Sequence, residues 1–370
     1  MRRISVIVAV VVAMLAAACS ESSAKAKPSG ARDVTAPDAL GTYAVGRRTL
    51  SYTDTARANR QLAVDIVYPA DKAAAAKAPA SKYVFVPGIE YPSAVAKADV
   101  PVAAGKHPVL VYSHGSGGLR FVSSFLTEAL ASYGFIVIAP DHAGNTALDE
   151  FLGTSVSEAQ NERNRAADVG FVLSQVLSGK ADNPVANSVD TGRVGVIGHS
   201  FGGWSAITSV AGWNEIPPDT RVKAIVGMAP YTRNIPDAVL KKVSVPTMLI
   251  TGTKDVVTPI ASDTQRPWDL ISGRPLYRVD LLDVGHQAFT DLCAYKTLLR
   301  TLPNVPPQFL QTVDLQATQA CGTGLLDIAE AQREINRYVI AFVETYVAGN
   351  AEYQQYLVST PPNATVQQKR

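Results

Sequence analysis

Several things are scarce in this chain, and each scarcity narrows what it does. Cysteine occurs three times in 370 residues, too few for more than one bridge. Charge of either sign is not in excess: 34 Lys and Arg face 32 Asp and Glu, for a formal net charge of +2. No basic block or aromatic-basic stripe is present, so nucleic acid is not an expected partner. No internal repeat is found, which sets solenoids aside. There is no G-x-G-x-x-G and no phosphate-loop lysine, so a nucleotide cradle is not expected. Hydrophobic residues, at 47 %, are plentiful enough for a sizeable core and too many for a disordered chain.

The one long apolar run lies at the start. Met1-Arg2-Arg3 is basic, and Ile4 to Ala18 is almost unbroken in its apolarity. That run is short for a membrane span but suits the h-region of a signal peptide, so residues 1–19 read as an export leader. It ends in Leu15-Ala16-Ala17-Ala18-Cys19-Ser20. This resembles a bacterial lipoprotein processing site, with Cys19 as the lipidated residue and the membrane as a partner through that anchor. Ordinary cleavage beside Ala18, giving a secreted protein, is the other reading. With Cys19 so used, Cys293 and Cys321 remain as a candidate pair in an oxidising compartment. A bridge there stabilises by roughly 3 kcal/mol in the chain-entropy model; two free buried thiols are the alternative.

Residues 20–38, rich in Ser, Ala, Lys and Pro, read as a flexible tether, and 359–370 as a loose tail. Between them the chain alternates short apolar runs with helical patterns. Strands are predicted at Val64 to Tyr68, Val109 to Tyr112, Phe135 to Ala139, Val194 to Ile197, Ala224 to Gly227, Thr247 to Ile250 and Leu276 to Leu282. An Ala/Lys/Pro-rich excursion separates the first two. Helices are predicted at Ser123 to Tyr133, Glu158 to Leu177, from Trp204 onward, and at about Leu325 to Tyr346. The expectation is an α/β fold: one doubly wound domain over 39–358, its mostly parallel sheet covered by helices on both faces.

Gly198-His199-Ser200-Phe201-Gly202 fits G-x-S-x-G, fed by the strand Val194 to Ile197 and followed by a helix. Such a turn holds a serine in a strained conformation, and glycines two before and two after remove Cβ atoms that would collide. A serine needs a base to take its proton. In the order nucleophile, acid, histidine, the base must follow Ser200, and of five histidines only His286 does. His199 and His114 read as packing or loop-orienting residues, and no metal ligand set accompanies them. For the acid, Asp255 after the strand Thr247 to Ile250 is favoured, with Asp283 and Asp263 as alternatives. The backbone N–H of Phe201 is one expected oxyanion donor. The other comes from Ser113-His114-Gly115-Ser116-Gly117-Gly118, with Ser116 chosen and Gly115 the alternative. Neither metal nor cofactor is expected.

The segments VYSHGSGGLRF, FIVIAPDHAGNT, GHSFGG and VGHQAFTD together resemble the bacterial dienelactone-hydrolase-like esterases and the platelet-activating-factor acetylhydrolases, and more distantly the cutinase-like polyester hydrolases. The resemblance spans about Leu40 to Tyr356. It implies the α/β-hydrolase fold, Ser200 and His286 as catalytic, and Phe201 and Ser116 as oxyanion donors. The chain departs at two points. Dienelactone hydrolases use a cysteine where this chain has Ser200, and the acetylhydrolases place their acid where it reads Met228-Ala229-Pro230-Tyr231-Thr232-Arg233-Asn234, without a carboxylate.

The functional expectation is cleavage of short- or medium-chain carboxylic esters, of lipid or polyester type, through an acyl-Ser200 intermediate. Acyl transfer to an envelope alcohol is the alternative, and a non-catalytic binding lipoprotein a third reading. Phe121, Trp204, Trp268 and Phe289 flank the motifs as candidate pocket residues or as ordinary core. The stretch 293–321, with Pro303, Pro306 and Pro307, is a candidate lid or rim.

Overall fold

The central runs are dominated by valine and isoleucine, whose branched side chains suit a pleated surface covered on both sides. In the computed structural model, which describes residues 34–179 and 183–370, these runs become the middle of one 11-stranded sheet. The leader and Cys19 lie outside the described residues. The strands are β1 (Ala44–Asp54), β2 (Arg60–Ala70), β3 (Ala80–Val86), β4 (Ile89–Ala98), β5 (His107–Ser113), β6 (Ile136–Pro140), β7 (Val189–His199), β8 (Val222–Met228), β9 (Thr247–Gly252), β10 (Leu276–Leu281) and β11 (Ala364–Lys369). The helices are α1 (Lys72–Ala75), α2 (Ser124–Ser132), α3 (Ala147–Leu152), α4 (Glu158–Leu177), α5 (Phe201–Ala211), α6 (Asp237–Leu240), α7 (Gln265–Leu270), α8 (Leu292–Leu298), α9 (Pro307–Cys321), α10 (Ile328–Val343) and α11 (Gln354–Leu357).

The spatial order is β11-β10-β9-β8-β7-β5-β6-β2-β1-β4-β3. Strands β5 to β10 run parallel, while β2 and β11 pair antiparallel with β6 and β10. Side chains alternate between two cores. Leu110, Tyr112 and Val137 face α2 and α10, whereas Val109, Val111 and Ile138 face α4 and α5. Both faces are therefore covered, as the near-continuous apolar strands require. The chain leaves β5 toward β6 on one side and returns to β7 on the other. The loops after β5 and β7 thus meet where strand order reverses, where such sheets bind ligands.

Helix boundaries follow local chemistry. Helix α4 covers the predicted span, capped by Ser157 Oγ accepting from Gln160 N at 3.3 Å. Helix α10 starts at Ile328 because Asp327 caps it, Oδ1 accepting from Ala329 and Glu330 N. Two expectations are corrected, and one segment is filled in. The segment 359–370 is not a loose tail: Ala364–Lys369 extends the sheet beside β10, its backbone donors and acceptors satisfied by that edge. The Ala/Lys/Pro-rich excursion holds the β3–β4 hairpin. Its Tyr83 donates to Glu128 of α2 at 2.6 Å, and Arg47 and Asp65 of β1 and β2 pair beneath it. The folded body begins before residue 39, since Val34 packs on the core and Tyr133 Oη, at the end of α2, donates to the carbonyl of Ala36. Cys293 and Cys321 are joined, tying α8 to the end of α9.

Candidate active site

Ser200 stands between β7 and α5 with φ 56° and ψ −118°, a backbone conformation that non-glycine residues rarely hold. Its own amide and carbonyl anchor it, N–H donating to Met228 O at 2.9 Å and O accepting from Tyr231 N at 2.9 Å. A Cβ at Gly198 would strike the Gly202 carbonyl, and one at Gly202 would strike that of Ser113. The two glycines of the motif are therefore steric necessities: the turn closes on itself at one and on the β5 loop at the other.

His286 follows β10, and its Nδ1 lies 2.7 Å from Asp255 Oδ2 in the loop after β9. Burial works to raise the Asp255 carboxyl, but hydrogen bonds from His286 and Thr258 outweigh it and hold it below the usual carboxylate range. An ionised Asp255 makes Nδ1 the protonated nitrogen and leaves Nε2 as the basic one. Ser200 and His286 line the same cavity, of about 300 Å³. Of the other two carboxylates, Asp263 is committed to Thr232 N at 2.9 Å and Arg233 Nη2 at 2.6 Å. Asp283 is exposed beside Lys254.

His199 is buried, and its Nε2 must donate to the His286 carbonyl, 2.9 Å away, because a carbonyl only accepts. Its ring stands 4.6 Å from that of His286, and burial together with this neighbour lowers its pKa to about 3. His114 Nδ1 donates to Gly115 O at 2.7 Å while Nε2 accepts from His142 N at 3.0 Å. Both histidines hold loops, as their sequence positions suggested.

Arg165 was not singled out from sequence, and it is the least expected group here. It lies on α4, is 0 % exposed, and forms no ion pair with a carboxylate among the described residues. Nη1 donates to His114 O at 2.7 Å, Nη2 to Gly115 O at 3.0 Å, and Nε to Asn145 Oδ1 at 2.8 Å. Asn145 Nδ2 in turn donates to Ser116 Oγ at 2.9 Å. Burial lowers the Arg165 pKa to about 9, so it stays charged at neutral pH, and Asp168, itself paired with Arg57 and Arg60, works against that shift. In a trans peptide the N–H points opposite to the C=O. Fixing the Gly115 carbonyl on Arg165 therefore turns the Ser116 N–H away from the arginine. A Cβ on Gly115 would stand 3.2 Å from Ser200 Cβ, so this loop closes directly on the serine.

The aromatic pocket candidates are corrected. Phe121, Trp204, Trp268 and Phe289 are all core. Phe289 stacks on His199, and Trp268 lies under Lys369 of β11. Nearness to a motif in sequence does not set the direction of a side chain, and these four turn inward. The cavity wall is instead built by Phe85 of β3, Leu119, Phe151 of α3, and Phe309 and Val313 of α9. Tyr295, Phe309, Thr312, Val313 and Gln316 of the segment 293–321 line this cavity, and the disulfide joins the two ends of that segment.

His142 makes a testable pH effect. Nδ1 lies 3.0 Å from Asp168 Oδ2 and Nε2 lies 2.9 Å from Ser113 Oγ. Burial, then Arg165, lowers its pKa to about 4. The unfolded chain takes up this proton near pH 6.5 and the folded one near 4. The stabilisation is complete above 6.5 and is lost as pH falls toward 4, by about 1.4 kcal/mol per pH unit. Asp291, pushed up to about 7 by burial despite accepting from Ser124 N, acts in the opposite sense over this range. Urea midpoints of wild type and His142→Gln between pH 7 and 4 isolate the histidine. The variant should show the shallower acid decline, and equal slopes would refute the assignment.

A mostly parallel sheet, a serine on a strained strand-to-helix turn, and a histidine and carboxylate after later strands define an α/β-hydrolase fold. The chain belongs to the family described as PETase, PET hydrolase-like, whose profile matches residues 101–291. Among individual proteins it is 27 % identical over 190 residues to platelet-activating factor acetylhydrolase of Cavia porcellus, covering 42 % of each chain. It is 29 % identical over 156 residues to cutinase est1 of Thermobifida alba, covering 42 % of this chain and 45 % of that one. The match thus spans less than half the length of either relative. Among solved structures, a ferulic acid esterase from Streptomyces cinnamoneus superposes with a TM-score of 0.68 at 26 % identity, covering 89 % of this chain and 98 % of that one.

Proposed function

We propose that this protein is an exported serine esterase that cleaves carboxylic esters through an acyl-Ser200 intermediate. The observation that carries the reading is Ser200, strained on its turn, sharing one cavity with a His286 whose Nδ1 is engaged by Asp255. His286 Nε2 takes the proton as Ser200 Oγ attacks the ester carbonyl, and returns it to the departing alcohol. Asp255 fixes the tautomer and stabilises the imidazolium. The developing oxyanion is received by the N–H groups of Phe201 and Ser116. Water then repeats the sequence on the acyl-enzyme and releases the acid. The family and the esterase neighbour support this chemistry. Export is supported by the basic-then-apolar leader, with Cys19 as the proposed lipid attachment point, and by a disulfide suited to an oxidising compartment.

The test is labelling with a fluorophosphonate followed by mapping of the adduct. A single adduct on Ser200 is expected, blocked by prior incubation with an ester substrate. No adduct in folded protein, or one on another residue, would overturn the proposal. Repeating turnover with an added acceptor alcohol separates hydrolysis from acyl transfer by product.

A further inference from the structure

Ser200 sits at the junction of two unlike compartments. On one side the 300 Å³ cavity shares Phe85, Leu119, Phe151 and Phe309 with a second of about 390 Å³. That second space continues over Ile89, Leu148 and Leu152, and no charged side chain among the described residues lines it. Leu148, Phe151 and Leu152 are 41 %, 50 % and 61 % exposed, among the most exposed large apolar residues described. A run of exposed apolar surface leading out of a reactive cavity is unfavourable in water unless something covers it. Phe85 and Phe309 lie outside residues 101–291, so this wall is built largely by segments of this chain beyond the family match.

On the other side of Ser200 a third cavity, of about 470 Å³, sets polar side chains beside Val156, Phe201 and Val257. Tyr231, Ser155 and Asn161 supply hydroxyl and amide groups, and Glu150 and Glu158 two carboxyl groups. Among the described residues the one cation lining it, Arg233, is already taken: Nη2 lies 2.6 Å from Asp263, and its guanidinium stands 5.2 Å from the Tyr231 ring. A phosphate or carboxylate head entering here would meet carboxyl groups and no unpaired cation. Hydroxyl groups would meet a set of donors and acceptors that suits them.

We propose that the substrate is an amphiphile: an unbranched fatty acyl chain laid along the Phe85–Phe309 wall, esterified to an uncharged polyol that occupies the Tyr231 compartment. This rests on the esterase reading and names its substrate class. An uncharged polyhydroxylated group enters an ester as its alcohol, so the polar half is the leaving group. Attack by Ser200 breaks the bond to the polyol oxygen, which departs with the proton carried by His286, and water then frees the fatty acid.

The test compares kcat/KM for four probes in one fixed detergent: 1-lauroylglycerol, 1-acetylglycerol, ethyl laurate, and 1-lauroylglycerol 3-phosphate. Wild type should favour 1-lauroylglycerol over each of the others by about tenfold or more, since a few buried methylenes or a satisfied polar group are each worth at least that. Leu152→Glu should collapse the laurate-to-acetate ratio, and Tyr231→Ala the glycerol-to-ethyl ratio, each leaving the other ratio closer to wild type. A flat chain-length profile, equal use of ethyl laurate, or preference for the phosphate ester would overturn the proposal. In each of those cases the wild type still turns over esters, so the esterase reading stands. Absence of turnover on all four, with no fluorophosphonate adduct, would instead remove the reading beneath it.

Discussion

Replacing Ser200 by alanine should lower kcat on a simple ester by about a millionfold, and His286→Ala by a comparable amount, with the double variant little slower than either. The two act as a unit. Without a base the serine hydroxyl keeps its proton, and without the serine the histidine has no nucleophile to activate, so removing the second partner costs almost nothing more. Asp255→Asn belongs to the same unit but should cost less, about ten-thousandfold, because an amide at 2.7 Å from Nδ1 holds the wrong tautomer without removing the base. Steady-state kinetics on the three single variants and the Ser200–His286 double variant read this directly. More than a hundredth of wild-type activity in Ser200→Ala would refute the nucleophile, and Asp283→Asn or Asp263→Asn falling as far as Asp255→Asn would refute the acid. The fold should survive Ser200→Ala, since alanine keeps the Cβ and therefore the same strained φ of 56°, and stability is expected to stay unchanged.

Arg165→Met should lower kcat by about a hundred- to a thousandfold while moving KM little, the signature of a weakened oxyanion site. The arginine does not reach the substrate; it is a positioning residue acting through the His114 and Gly115 carbonyls. When it is lost, the Gly115 carbonyl is left with His114 Nδ1 and the Gly118 N–H, so the peptide carrying the Ser116 N–H is held less firmly. The His114 and Gly115 carbonyls each lose a charged donor, at about 1.5–3 kcal/mol. Arg165→Lys should rescue only part of the loss, since a single ammonium cannot serve three acceptors spread around a planar fork. The decisive readout is affinity for a boronic acid that mimics the tetrahedral intermediate. It should fall in step with kcat/KM across wild type, Lys and Met variants. A variant that is merely less stable, with normal kcat and normal boronate affinity in its folded fraction, would show that Arg165 only packs.

The parts of the site legible from sequence are those set by chain-local geometry. Gly198 and Gly202 bracket Ser200 because the backbone itself collides there, a constraint that acts over five residues and so marks the sequence. His286 could be reached by elimination, since no other histidine follows the serine. Asp255 was favoured for its place after a strand, and it is the carboxylate that lies against His286. The central strands and α4 were equally plain, because burial on both faces demands long apolar runs and a helix with a regular stripe. The β3–β4 hairpin is not legible because most of its residues are only partly buried and it packs through Tyr83 and Arg47 with carboxylates in place of aliphatic side chains. Strand β11, reading Ala-Thr-Val-Gln-Gln-Lys, has too little apolar character to be recognised without the β10 edge it completes.

By itself, then, the sequence determined the α/β alternation, the strained serine turn and the order in which its partners follow, since these depend on period, on backbone sterics and on chain direction. Tertiary structure alone decided three things: that Phe121, Trp268 and Phe289 are core, that Phe85 and Phe309 are cavity wall, and that a buried Arg165 holds the loop beside Ser200. Each of these depends on which way a side chain points once segments distant in the chain have met. No local pattern encodes a contact made over 50 residues, such as Arg165 with Gly115, because its energy exists only after the sheet has brought the two loops together.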